Sequence, residues 1–268
     1  MTKIVQPEYI GILGIILLCA GYTPPASASS NAVLAGMEFF NWKEFDSRGR
    51  RLLSENGLRY LLSVENQGTL QFLDNVSYQL RWRGYLGDVD YDGQTQPGSI
   101  FVSTTVSYTG WNIEATARYH FQSFQSRVQP AVTGAIGLDS WSRHLRDSTD
   151  ALDGPVTGGT ENYEILYSRI GLQLQRPGNF WHSILDIGIK YPFKTDEKQE
   201  DLNLSLEPDG HTSLYINYRL TSDNRQGGHH FIALVYDSYR FDASRVVKGF
   251  YQPESHQDTF SLMAGTNF

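Results

Sequence analysis

The chain has 268 residues and a formal net charge of −7; 40% of its residues are hydrophobic and 13% are aromatic. With 29 Asp and Glu against 22 Lys and Arg, and no basic stripe, the sequence argues against a nucleic-acid partner. The single cysteine, Cys19, excludes a disulfide framework. Mean hydropathy is −0.38, which still permits strands that turn only alternate residues toward lipid.

Residues 1–28 resemble an export signal in their order of charge, apolar run and small residues. Lys3 precedes an apolar run from Tyr9 to Ala20, and Ala26-Ser27-Ala28 form an A-x-A cleavage pattern. A membrane-spanning helix would need about 20 apolar residues, more than this run supplies. We therefore predict a signal peptide over residues 1–28 and a single domain over residues 29–268.

Ten segments of the remaining chain have strand character. In the clearest of them apolar and polar residues alternate, as in 58–65, 76–83 and 111–121. Leu58 and Tyr60, for example, share one face while Arg59 takes the other. In the first, sixth and ninth segments, the pattern of apolar and polar residues does not show which face points inward.

The connections between these segments alternate in length. The short ones lie near 66–70, 122–127, 175–179 and 221–228, and the long ones cover roughly 46–55, 87–104, 140–161, 194–210 and 242–256. This alternation predicts an all-β fold: a closed antiparallel transmembrane β-barrel of about ten strands, with short periplasmic turns and long extracellular loops. A soluble β-sandwich is the alternative, but its strands usually have about 5–6 residues, fewer than these segments.

Aromatic residues cluster near the predicted strand ends, as in the two interfacial girdles of a membrane barrel. Those toward the long loops are Trp42, Trp82, Tyr85, Trp111, Trp141, Tyr191 and Tyr239, and those toward the turns are Tyr119, Phe121, Trp181 and Phe268.

The last segment, DTFSLMAGTNF, alternates apolar residues up to Phe268. It resembles the C-terminal strand by which bacterial outer-membrane β-barrel proteins are recognised for insertion. The resemblance implies residence in the outer membrane of a Gram-negative bacterium after removal of the signal peptide. It also implies three partners: outer-membrane lipid, lipopolysaccharide, and the barrel-assembly machinery acting on the strand that ends in Phe268.

Charged residues of both signs fall on the predicted inward faces of the strands. They are Arg59, Glu65, Arg81, Arg83, Glu114, Arg118, Asp186, Lys190 and Arg219. Because about eight strands enclose an interior that side chains just fill, a ten-stranded lumen is close to filled. Buried charges of opposite sign are expected to pair. We predict a largely plugged lumen, and a narrow pore is the alternative.

The second long loop contains three alternating aspartates, Asp88, Asp90 and Asp92, followed by Gly93. The pattern resembles the first half of an EF-hand loop, in which carboxylates converge on Ca²⁺. Ser99 stands where the bidentate glutamate would be. A weakly bound surface Ca²⁺ is therefore one hypothesis, and a solvated acidic loop is the other; we expect no further cofactor.

Two tripeptides, Asp88-Val89-Asp90 and Asp209-Gly210-His211, resemble the paired motifs of the omptins, which are ten-stranded outer-membrane proteases. The resemblance implies a dyad in which His211, kept basic by Asp209, takes a proton from water. The sequence thus leaves two functional hypotheses. The first is a non-enzymatic outer-membrane barrel with a structural or surface-interaction role, which would be porin-like only if it contains a narrow pore. The second is an omptin-like endopeptidase.

Overall fold

The computed structural model describes residues 29–70, 72–73, 75–94, 101–121, 128–148, 157–178, 180–223 and 229–268. The predicted signal peptide lies outside these residues. The strands are β1 Ser30–Phe45, β2 Arg51–Thr69, β3 Val76–Gln94, β4 Phe101–His120, β5 Gln129–Leu145, β6 Thr160–Arg176, β7 Trp181–Gln199, β8 Leu204–Leu206, β9 Gly210–His211, β10 Ser213–Asp223, β11 His229–Phe241 and β12 Glu254–Asn267. No helix among the described residues is long and apolar enough to cross a membrane.

Ten of these strands form a closed antiparallel barrel, which confirms the predicted fold. β8 and β9 are short strands in the connection from β7 to β10; β8 pairs with β7, and β9 pairs with β11. β7 itself pairs with β10, and β12 pairs with β1 from Ala32↔Asn267 to Phe45↔Glu254. The closing seam is continuous, so its backbone groups are used within the barrel rather than left at a sheet edge.

The outside of the barrel carries a continuous band of exposed apolar side chains. On β2, for instance, Leu58, Tyr60 and Leu62 are 54%, 64% and 49% exposed, although they are large and hydrophobic. We call this band the apolar belt; it covers 33–39, 58–64, 78–86, 111–119, 132–138, 168–174, 185–193, 214–220, 232–236 and 260–266. These stretches have five to nine residues each, somewhat fewer than the roughly 9–11 that cross a bilayer at a tilt.

The strands continue beyond the apolar belt on the side of the longer connections, which we call the outer rim. The predicted long loops were therefore too long: β3 runs to Gln94, β4 begins at Phe101, and β6 begins at Thr160. Polar residues such as Asp90 and Ser103 occupy the exposed face of this extension. They remain in strands because each strand is paired on both sides and buries its alternate residues, as Val89 and Tyr91 show.

The predicted outer girdle is partly wrong, because several of its rings occupy inward-facing positions of their strands. Trp42, Tyr85, Trp141 and Tyr239 point into the barrel and are at most 7% exposed. Trp82 and Tyr191 lie on the outside, as predicted, and so do Tyr119 and Trp181 near the opposite rim. The four inward rings instead contribute to the core of the barrel.

Candidate functional site

The middle of the lumen is filled by paired charges. Arg81 lies 2.8 Å from Glu114, Arg169 lies 3.3 Å from the same carboxylate, and Lys190 lies 2.6 Å from Asp237. These pairs come from different strands, and Arg169 also pairs with Asp237. Since each group is almost fully buried, the pairing offsets the cost of removing its charge from water.

The structure places all nine of the predicted lumen residues on the inner face. Arg59 pairs with Glu38, and Glu65 lies 2.6 Å from Arg219. Arg118 donates to Gln79, and Asp186 accepts from Tyr215 at 3.0 Å. Arg83 lines the small space left at the centre, together with Arg59, Arg81 and Lys190.

That central space measures about 30 Å³. A cavity needs roughly 10–15 Å³ of such space to hold one water, so this space has room for only a few. Rings tighten the packing around the cations: Arg59 lies 4.0 Å from the centroid of Phe40, and Lys190 lies 3.3 Å from that of Tyr239. Charged and aromatic side chains thus surround the small central space.

Aromatic rings form a layer above the charges, toward the outer rim. Trp141 and Tyr163 stack with centroids 5.0 Å apart, and Tyr239 and Phe241 stack at 5.6 Å. Trp42 meets Tyr163 edge-on at 5.8 Å. This aromatic layer separates the charged lumen from the space at the outer rim.

The outer rim holds a cluster of four glutamates around one arginine, beyond the apolar belt. Arg143 of β5 pairs with Glu55, lies 2.5 Å from Glu161, and is 3.8 Å from Glu44. Glu197 belongs to the cluster because the charges of Glu161 and Glu44 both act on its carboxyl group. If all four carboxylates were ionised, they would exceed the charge of Arg143 by three.

Burial raises the pKa of several of these carboxyl groups. The pKa of Glu44 rises to about 7 because burial outweighs the attraction of Arg143, and repulsion from Glu161 adds to the rise. Burial also raises the pKa of Glu55, and burial and then the charge of Glu161 raise that of Glu197 well above its ordinary value. One oxygen of Glu197, Oε2, is buried and has no hydrogen-bond partner.

Beside the glutamate cluster is a cavity of about 690 Å³, which we call the outer cup. Ligand pockets typically measure about 300–1,000 Å³. The walls combine Glu44, Glu161 and Arg143 with the polar Gln94, Gln199 and Gln252 and with apolar and aromatic residues: Leu52, Leu53, Tyr91, Val102, Leu145, Phe250, Tyr251 and Pro253. A ligand with both charged and apolar parts would therefore find complementary walls in the outer cup.

The three aspartates of the Ca²⁺ hypothesis lie on β3 rather than in a loop. Asp88, Asp90 and Asp92 occupy alternate positions on its exposed face, so their side chains lie in a row and do not converge. Arg146 lies 2.7 Å from Asp88 and already neutralises it. Among the described residues, no group of three His, Cys, Asp or Glu side chains is arranged to hold a metal ion; Ser99 lies outside them.

The two omptin-like motifs are not brought together as a dyad facing the lumen. Asp88 and Asp90 point away from the barrel interior, whereas their neighbours Val89 and Tyr91 are buried. His211, on β9, is exposed, and its Nε2 lies 2.7 Å from Oδ2 of Asp242. Asp209 is likewise exposed, and its carbonyl oxygen accepts from the backbone of Asp242.

Sequence reasoning missed the partners that complete the buried networks. Glu38, Arg169 and Asp237 lie on β1, β6 and β11, the three strands whose facing the sequence left open. Both faces of β1 and β11 carry apolar residues, so alternation alone does not identify the inner face. Glu44, Glu55, Arg143, Glu161 and Glu197 were assigned to loops or left unassigned. They lie where the strands continue beyond the apolar belt, and the local composition there resembles a loop.

Comparison with solved structures gives the same architecture. The outer membrane protease OmpT from Escherichia coli matches with a TM-score of 0.60 and 9% identity, over 91% of this chain and 99% of that one. The translocator domain of the autotransporter NalP from Neisseria meningitidis matches with a TM-score of 0.45 and 8% identity, over 97% and 95% of the two chains. No protein-family model and no curated protein matches the sequence. The chain therefore has the fold of the bacterial outer-membrane β-barrel proteins.

Proposed function

We propose that the protein is an outer-membrane surface protein that is closed to solutes and acts through its outer rim rather than as a channel. The observation that carries this proposal is the packing at the middle of the lumen, where paired charges line a space of about 30 Å³ beneath the aromatic layer. A conducting barrel needs a continuous water-filled path, which larger barrels of roughly 16–18 strands provide.

The apolar belt supports the location in this proposal. Exposed side chains such as Ile170 and Leu214, each 58% exposed, would face water in a soluble barrel at a large cost. Lipid removes that cost. Lipopolysaccharide would then surround the outer leaflet, and the outer rim would stand clear of it.

The outer rim supports the surface-interaction role, because the outer cup there is large enough for a small ligand. The geometry favours this role over the endopeptidase alternative. Asp88 and Asp90 face away from the outer cup, and His211 contacts Asp242 on the exterior.

Two measurements test the proposal. Purified protein inserted in planar bilayers is expected to give no stable conductance steps at several voltages, with a known open porin as the positive control. Intact cells expressing the protein are expected to leave fluorescent peptide substrates uncut. Reproducible conductance steps would refute the closed lumen, and cleavage that disappears in His211→Ala would establish the endopeptidase instead.

A further inference from the structure

The glutamate cluster has more acidic groups than its one arginine can neutralise if they ionise. Arg143 is shared among Glu55, Glu161 and Glu44, and it is farthest from Glu44, at 3.8 Å. Glu44 is otherwise held by neutral donors: Trp42 at 3.0 Å and Gln252 at 2.9 Å. These contacts orient the carboxylate without cancelling its charge.

Glu197 provides an independent sign that a group is missing from this cluster. Its side chain is fully buried, and Gln199 donates to Oε1 at 3.1 Å, but Oε2 has no partner. A buried oxygen without a hydrogen-bond donor is unfavourable, because it has lost its contact with water and gained none in return. Gln199 also lines the outer cup, so the cluster and the cup meet at this point.

The shape and chemistry of the outer cup restrict which cation fits. Arg143 occupies the centre of the cluster, so the carboxylates surround a guanidinium and not a vacant point where a bare metal ion would sit. The cup is far larger than one ion, and leucine, valine and aromatic side chains form much of its wall. Apolar walls suit methylene groups, while carboxylates and aromatic faces suit ammonium groups.

We propose that the outer cup binds a small organic polycation of the linear polyamine type. One ammonium group would lie against Glu44 and Glu161, and the methylene chain would cross the apolar wall between Leu53 and Leu145. This inference rests on the proposed function, since it assigns a ligand class to the surface role of the outer rim.

Binding is expected to depend on pH through Glu44. Its carboxyl interacts with groups from several elements: Arg143 from β5, Glu161 and Tyr163 from β6, Glu197 from β7, Tyr91 from β3, Trp42 from its own strand and Gln252 from the connection before β12. At low pH Glu44 is protonated and offers an ammonium group little attraction. As pH rises above about 7 the carboxylate forms, and the affinity increases.

The test is isothermal titration of the purified barrel in detergent micelles with spermidine at pH 8. Glu44→Gln removes the charge and keeps the shape, and it is expected to weaken binding by about tenfold, the loss typical of one charge-assisted contact. Glu164→Gln is the matched control, because Glu164 lies on the outer face of β6, on the same strand as Glu161. It is expected to change the affinity less than about twofold, since a solvent-screened charge contributes little.

A third ligand separates charge from apolar burial. 1,8-Octanediol has a similar length but no charge, and it is expected not to bind. Equal binding of the diol, equal losses in the two variants, or no spermidine binding by the parent would each overturn the inference. If the barrel does not bind spermidine and gives no conductance steps in bilayers, this inference fails while the proposed function is still supported. Gel mobility before and after heating shows that Glu44→Gln is folded.

Discussion

Lys190 lies inside the barrel with its Nζ 2.6 Å from Oδ1 of Asp237 and 3.3 Å from the centroid of the Tyr239 ring. Arg169 pairs with the same aspartate. Asp237→Asn would therefore leave Lys190 without the carboxylate beside its Nζ, and Arg169 with Glu114 alone. We expect the free energy of unfolding to fall by about 3–5 kcal/mol, measured by urea unfolding in micelles.

Asp88→Asn is the matched control for that prediction. Asp88 also forms an ion pair, with Arg146 at 2.7 Å, but both side chains are about half exposed. Exposed pairs contribute about 0–1 kcal/mol, so this variant should unfold almost like the parent. Equal effects of the two substitutions would contradict a stabilising role for the buried network.

Glu44 gives the protein a pH-dependent stability. Its pKa is about 7 in the folded protein and close to 4.5 in the unfolded chain. Between these values the folded protein keeps a proton that the unfolded chain has released, so the free energy of unfolding falls as pH rises from 4.5 to 7. The loss is at most about 3 kcal/mol and is complete above pH 7.

Glu44→Gln should remove this part of the pH dependence. The burial of Glu55 and Glu197 raises their pKa values too, so a smaller slope of the same sign should remain. Unfolding of the parent and the variant at pH 5 and pH 8 measures the difference. Parallel curves for the two proteins would show that Glu44 does not titrate between these values.

At the level of strands, paired glycines allow a ring to lie flat against the wall. Gly171 of β6 is directly opposite Gly188 of β7, and Tyr215 of β10 packs over both. A Cβ on Gly171 would come within 2.2 Å of the Tyr215 hydroxyl and 2.6 Å of a backbone oxygen. That hydroxyl donates to Asp186, so moving it would also disturb a lumen charge.

Gly171→Ala is therefore expected to lower the free energy of unfolding by about 1–3 kcal/mol, the usual cost of overpacking. Gly134→Ala on β5 is the matched control, since a Cβ there meets nothing within 4 Å. Thermal unfolding in micelles compares the two. If both variants melt at the same temperature, Tyr215 can shift without cost.

The sequence predicted strands well where one face is apolar and the other polar, as in β2 and β4. It failed at strand ends beyond the apolar belt, because Asp, Gly and Ser in 87–94 resemble a loop by composition. Pairing with β2 and β4 holds these residues in β3. Such pairing depends on neighbours distant in sequence, which local composition does not record.

For the molecule as a whole, closure of the barrel depends on the seam between β1 and β12. The backbone of Phe268 exchanges hydrogen bonds of 2.9 and 3.2 Å with Asn31, whereas its side chain is 73% exposed. Phe268→Ala keeps the backbone bonds, so the purified barrel should keep its stability. If the assembly machinery recognises the aromatic ring, the amount of inserted protein in cells should fall severalfold.

Heat-modifiable gel mobility of outer-membrane fractions measures that amount. Phe180→Ala is the control, because Phe180 is also exposed, at 63%, but lies outside the last strand. Equal insertion of parent and Phe268→Ala would remove the predicted dependence on the assembly machinery. Equal losses in both variants would point to lipid anchoring by exposed rings.

The sequence predicted inward-facing charges but not the site at the outer rim. Nine charges could be assigned to the inner face because their strands alternate clearly. The glutamate cluster could not be identified in this way, because its four glutamates come from four strands and are separated by up to 153 positions, from Glu44 to Glu197. Only the register of the closed barrel brings them together.

The seam has a practical consequence for anyone who wishes to label this protein on living cells. Ser30 and Asn267 start and finish their strands at one rim, opposite the outer cup. In the proposed orientation, a fluorescent tag joined beyond either residue would therefore report from inside the envelope and stay hidden from antibodies added to the medium. An epitope meant for display belongs instead in a hairpin at the other rim, such as 46–50, where Gly49 already turns the backbone at a φ of 73°.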